Sequence, residues 1–140
     1  MATTTATISV SSNIMSYPTS INKSMTMKKL ASCHGLDETS GLNSKKFTAT
    51  TAVVLVLNTE GTAAKASKVY MRNTGSDKAN FFYVALNASA AAADTAETIG
   101  RLHGGDWMLI PWAASAASHN ITVAPNTAEP MTIEWMVFVE

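Results

Sequence analysis

Met131-Thr-Ile-Glu-Trp-Met-Val-Phe-Val139 decides the fold class. Met131, Ile133, Trp135, Val137 and Val139 recur at period two, with Glu134, Met136 and Phe138 between them. A helix would scatter these residues around its axis, whereas a β-strand gathers them on one face. Working back from this strand, Pro125-Asn-Thr-Ala-Glu-Pro130 reads as a hairpin loop, and Ile121-Thr-Val-Ala124 as the strand paired through it. Asp106-Trp-Met-Leu-Ile-Pro-Trp112 is a further strand. Pro111 has no N–H for a ladder and so places that strand's end on a sheet edge. Ile99-Gly-Arg-Leu102 is a short strand that runs into the turn His103-Gly-Gly-Asp106.

The same reading continues toward the N-terminus. Lys68-Val-Tyr-Met-Arg-Asn73 and Phe81-Phe-Tyr-Val-Ala-Leu86 alternate, and Asn73-Thr-Gly-Ser-Asp77 between them is turn chemistry, so the pair is expected to form a hairpin. Phe47 to Leu57 puts Phe47, Val53, Leu55 and Leu57 on one face. Its later half is apolar on both faces, the pattern of a central buried strand. Asn87 to Glu97 is Ala-rich but offers no large apolar stripe, and is read as a loop or a single helical turn. Six or seven short strands at roughly ten-residue spacing predict an all-β fold. The expected form is an antiparallel β-sandwich, jelly-roll or Ig-like, or else a small barrel. Residues 47–140 form this body. Residues 1–46, rich in Ser and Thr and without sustained periodicity, form an extended N-terminal arm. Within the arm, Ser24-Met-Thr-Met27 is a candidate short strand with Ile21 and Met25 on one face.

Composition narrows the function. The chain has 140 residues, one domain's worth. Lys plus Arg and Asp plus Glu both total 10, so the formal net charge is zero and nothing argues for nucleic acid by electrostatics. Charged residues make up 14% of the chain, where an average globular chain carries about 25%. Threonine, serine, asparagine and alanine take their place, which suits a β-rich protein that covers its surface with copies or partners. The single cysteine, Cys33, excludes an internal disulfide framework. The apolar run Val53 to Leu57 is far short of the ~20 residues a bilayer span needs. Met1-Ala-Thr-Thr-Thr-Ala-Thr-Ile-Ser-Val10 lacks the pattern of a signal peptide. The sequons at Asn22, Asn87 and Asn120 are then chance matches in a Ser/Thr-rich chain.

Motifs for chemistry are missing. Gly100-Arg-Leu-His-Gly-Gly105 is no phosphate loop, and GxSxG and HExxH do not occur. Cys33-His34 would need converging side chains and a third, orienting group. Neighbours on an extended chain point apart, and Asp37 lies in loop-like sequence, so a packed thiol is the better reading. His34, His103 and His119, with Asp37, Glu38 and Asp106, match no metal-ligand spacing. His103 and Asp106 read as turn residues around Gly104-Gly105. The acids Glu97, Glu129, Glu134 and Glu140 suggest no facing pair for glycoside hydrolysis. No enzyme activity, cofactor or metal is expected.

The aromatic residues say more. Tyr70, Phe81, Tyr83, Trp112 and Phe138 fall on the face opposite the expected core. Such a second apolar face suits a subunit interface, and exposed rings would also suit a carbohydrate-binding or receptor-binding module. Lys23, Lys28, Lys29, Lys45, Lys46, Lys65 and Lys68 are spread over arm and loops as a solvated set.

A Ser/Thr/Ala-rich start, an arm and a compact late β-body together resemble small virion proteins of tailed bacteriophages. Lys68-Val-Tyr-Met-Arg-Asn-Thr-Gly75 is similar to a strand-then-Asn-Thr-Gly turn of that group. Ile99-Gly-Arg-Leu-His-Gly-Gly-Asp-Trp107 is similar to its Ile-Gly-x-Leu-x-x-Gly-Asp turn into a bulky strand. The likeness spans residues 66 to 140. It implies a structural role: capsid decoration or cement, a neck or tail part, or a fibre-associated subunit. Decoration fits a short chain with one body and one arm. The expected partners are the major capsid protein or other virion proteins and further copies of the chain, in a trimer, with no specific nucleic acid and no membrane. The expected location is the virion, assembled in the host cytoplasm. Ile8, Val10, Ile14, Tyr17, Ile21, Met25, Met27, Lys28 and Lys29 are the arm residues expected to touch the shell, by strand addition to a neighbour's edge.

Overall fold

The computed structural model describes residues 3–12, 19–28, 38–61, 67–86, 98–114 and 119–139. The chain divides into two units, residues 1–37 and Glu38–Val139. The division falls nine residues before the expected boundary at 46/47, because residues 38–47 are built into the body's sheet.

The first unit holds β1 (Thr3–Ser12) and β2 (Thr19–Lys28), paired antiparallel from Thr3↔Lys28 to Ser12↔Thr19. The arm is thus a two-stranded ribbon over these residues, longer and more regular than the short strand expected at 24–27.

In the second unit, β3 (Glu38–Thr39) and β4 (Asn43–Phe47) lie along the same side of β11 (Met131–Val139). Gly41, at φ +72°, breaks this edge, using a left-handed backbone that costs glycine little. Ser40 bridges the break. Its N–H donates to the Val137 carbonyl and its Oγ accepts the Val137 N–H, both at 3.0 Å. On the far side of β11 come β6 (Ser67–Asn73) and then β9 (Trp107–Trp112). The second sheet runs β5 (Val53–Val56), β10 (Ile121–Pro125), β7 (Phe81–Leu86), β8 (Thr98–His103). All these pairings are antiparallel.

With β3 and β4 taken as one edge, the body is two four-row sheets. Consecutive strands alternate between the sheets everywhere except at β7–β8. This is a jelly-roll sandwich. The two sheets remain separate, so no barrel closes. Two expected hairpins are corrected by this topology. β6 and β7 lie in opposite sheets, and so do β10 and β11. Each of these strands has an apolar face to bury, and loops 74–80 and 126–130 are long enough to arch over the core between sheets. Alternation specifies which residues point inward but leaves the hydrogen-bonding neighbour open. The expected single strand from Phe47 to Leu57 is also two. β4 ends at Phe47 in one sheet, and β5 is an edge strand of the other, with Leu57 exposed.

The core lies between the sheets. Val69 and Met71 of β6, Phe82 and Val84 of β7, Ile121 and Val123 of β10, and Ile133, Val137 and Val139 of β11 are buried there. Phe47 meets Phe82 edge-on at 5.3 Å between ring centroids. Burying one such side chain contributes about 1.5–3 kcal/mol, and nine together form the main favourable contribution in a body this size.

Candidate functional site

Three surfaces carry the residues that the sequence singles out. The first is the ribbon. Strand alternation and the β1–β2 register put Ala6, Ile8 and Val10 on the same face as Ile21, Lys23 and Met25, with Val10 directly opposite Ile21. Ile8, Val10, Ile21 and Met25 are all exposed, at 37–48% of their surface. The reverse face is made of hydroxyls and amides: Thr5, Thr7, Ser9 and Ser11 against Ser20, Asn22, Ser24 and Thr26. There Thr5 and Thr26 hydroxyls meet at 3.2 Å, and those of Thr7 and Ser24 at 3.0 Å. Of the other expected contact residues, Met27 is buried at 3% and so offers no surface. Lys28 ends β2 opposite Thr3. Ile14, Tyr17 and Lys29 lie outside the described residues, as do Cys33, His34 and Asp37.

The second surface is the pair of outer sheet faces. The aromatic residues expected to share a face divide between them, and two, Trp112 and Phe138, are buried. Trp112 points inward, is buried at 5%, and its Nε1–H donates to the His119 carbonyl at 2.6 Å. Its placement opposite the core is therefore corrected. β9 is apolar on both faces, and its register with β6, Met71↔Met108 and Tyr70↔Leu109, turns the even-numbered residues inward. Phe138 is also buried at 5%. Phe81 and Tyr83 lie on the outer face of β7 and pack edge-on at 5.0 Å. The Arg101 guanidinium caps both rings, at 4.9 and 5.5 Å, and His103 stands 5.0 Å from Phe81. Tyr70 is on the outer face of the other sheet. Beside it is Trp107, 45% exposed, with centroids 6.4 Å apart and ring planes at 35°. Trp107 is the residue that sequence reasoning missed. Its parity within β9, opposite to that of Trp112, was the available signal.

The third is a clamp of loops at one end of the sandwich. It joins the two motifs on which the virion likeness rests. Buried Asn73 donates from Nδ2 to the carbonyls of Leu102 (3.1 Å) and Asn80 (3.3 Å), and its Oδ1 accepts the Gly75 N–H (3.1 Å). The Gly105 N–H donates to the Asn73 carbonyl and the Asn73 N–H to that of Asp106, both at 3.0 Å. Gly105 has φ +82°, a conformation that favours glycine. Lys78 Nζ donates to Asp106 Oδ1 at 2.6 Å, and this ammonium holds the Asp106 carboxyl below the usual carboxylate range. His103 Nδ1 lies 2.7 Å from the Lys78 carbonyl, and His119 Nδ1 lies 2.8 Å from that of Ala113. A carbonyl only accepts, so each Nδ1 acts as the donor. These groups hold loops together. Among the described residues no three His, Cys, Asp or Glu side chains converge as a metal site would require, and no helix is long and apolar enough to cross a membrane.

No protein-family model matches the chain, and no curated protein matches it significantly.

Proposed function

We propose that this chain is a structural virion protein of the tailed-bacteriophage type, a decoration or cement protein that binds the assembled shell and stabilises capsomer junctions. One observation carries the reading. The β1–β2 ribbon presents Ile8, Val10, Ile21 and Met25 as an exposed apolar face, backed by a face of hydroxyls and amides. An isolated two-stranded ribbon is marginal in water. Apolar area of this kind is buried in a complex, and each fully covered Ile or Val contributes about 1.5–3 kcal/mol. The low charge and zero net charge of the chain suit close packing of many copies. Shells repeat their binding sites, so modest affinity per copy suffices when copies associate with one another. Self-association as a trimer and the major capsid protein as partner belong to the same proposal. So does a location in the virion after assembly in the host cytoplasm.

The test uses the particle. Source lysate is sedimented, and the heavy fraction is quantified by mass spectrometry. Decoration requires hundreds of copies per particle. About a dozen would place the chain at a neck or tail, and its absence from the heavy fraction would end the virion reading. The triple variant Ile8→Thr/Val10→Thr/Ile21→Thr keeps β-propensity and the ribbon's length while removing three of the four large apolar side chains of its face. It should keep the wild-type melting temperature of the body and lose shell binding; wild-type binding would remove the ribbon from the mechanism.

A further inference from the structure

We propose that Trp107 and Tyr70, on the outer face of the β4-β11-β6-β9 sheet, form a platform for a neutral hexopyranose chain. The inference is independent of the ribbon and uses a different face of a different unit.

Trp107 opens an edge strand, which is why a residue this large stays 45% exposed. Tyr70 on the neighbouring strand brings its ring to 6.4 Å, at 35° to the indole. The two ring planes lie at a shallow angle to one another, with Trp107 exposed and Tyr70 half-buried. Sugars offer such rings the C–H face of a pyranose, while their hydroxyls remain at the rim to be hydrogen-bonded. The register supplies groups for that rim. Trp107 lies opposite Arg72, Arg72 opposite Glu134, and Glu134 opposite Ser44, in one row across the sheet. Arg72 is exposed and Glu134 half-buried, and among the described residues neither has an ion pair or a side-chain hydrogen bond. A guanidinium offers only donors and a carboxylate only acceptors, whereas a sugar hydroxyl is both. One row therefore matches a run of hydroxyls, and its opposite charges favour a neutral sugar over an acidic one.

Two comparisons sharpen the choice. Phe81 and Tyr83 on the other sheet are not open in the same way, because Arg101 already covers their rings. A protein surface laid flat on the Trp107 face would desolvate Arg72 and Glu134 together, and while arginine is common at the centres of protein interfaces, carboxylates such as Glu134 are depleted there. A saccharide covers the rings and leaves that rim wet.

Affinity electrophoresis tests this on the full chain, in gels containing dextran, yeast mannan, galactomannan or xyloglucan. At least one should retard the wild type. Trp107→Ala should weaken that retardation about tenfold or more, the loss expected for an aromatic anchor. Tyr70→Ala and Arg72→Ala should weaken it by smaller factors, and Phe81→Ala should leave it unchanged. Trp107 lies outside the core, and a wild-type melting temperature for Trp107→Ala checks that the loss is local. The proposal is overturned if none of the four polysaccharides retards the protein, or if Trp107→Ala binds as the wild type does. A wild-type oligomer that Trp107→Ala dissociates, with no retardation in any gel, would assign the face to a second copy. A negative result here leaves the shell-binding reading intact, because that reading is tested by copy number and by the ribbon variant.

Discussion

Gly104→Ala should unfold the loop clamp. A Cβ at Gly104 would collide with the Asp77 carbonyl oxygen and lie 2.8 Å from the Asp77 carbonyl carbon and 2.9 Å from its nitrogen. The obstacle is backbone, so no side chain can swing aside. Asp77 is also held in place, because its carbonyl accepts the Asn80 N–H at 3.2 Å. Displacing the 74–80 loop would strain that bond and two others: Gly104 N–H to the Asn80 carbonyl (3.0 Å) and His103 Nδ1 to the Lys78 carbonyl (2.7 Å). At about 1 kcal/mol each, three such bonds amount to about 3 kcal/mol. Domains are stable by only about 5–15 kcal/mol, so this is a large fraction. It corresponds to a fall of about 14 °C in Tm for a body of this size. Thermal unfolding followed by near-ultraviolet circular dichroism measures it. Gly100→Ala is the control, since a Cβ there meets nothing within 4 Å and should change stability by less than about 0.5 kcal/mol. If Gly104→Ala melts with Gly100→Ala, the clamp does not hold the loops and the argument fails.

Two further predictions concern the body. Trp112→Ala should cost about 3–5 kcal/mol, because it empties a core position and leaves the His119 carbonyl without its indole donor; denaturant unfolding that shifts by under 1 kcal/mol would return Trp112 to the surface. Asp106 has a carboxyl pKa lowered mainly by its hydrogen bond to Lys78, so it contributes stability above its unfolded pKa near 4, lost as pH falls through the lower folded pKa. Wild type should therefore melt slightly above Asp106→Asn at pH 7, and the gap should close on titration toward pH 2. A gap that widens on acidification would show the sign to be wrong. The side chain is 41% exposed and solvent-screened, so the effect is small.

Much of the fold was legible because strand alternation is a local property. The 131–139 pattern places Ile133, Val137 and Val139 inward whatever the strand's neighbours, and Arg72 marks its side of β6 as the outer one. Pro111 read as an edge residue, and β9 pairs with β6 alone among the described strands. The turn chemistry of Asn73–Asp77 and His103–Asp106 located two loops, the first of them as a hairpin turn. Nothing within either motif shows that Asn73 and Gly105 bond one another across 32 positions. The alternating apolar and polar residues of the ribbon were equally local, but short β-branched and hydroxyl residues gave too weak a periodicity to extend the strand beyond Ser24–Met27.

For strands with one apolar face, sequence by itself determined what would be buried, since period two needs no knowledge of a partner. Tertiary structure alone decided with which strand each would pair, because hydrogen-bonded ladders are made by backbone that every residue shares. That choice sent β6 and β7, and β10 and β11, to opposite sheets. It also settled which tryptophan of β9 faces water: with apolar residues on both sides of that strand, only the register against β6 could turn Trp112 into the core and leave Trp107 outside.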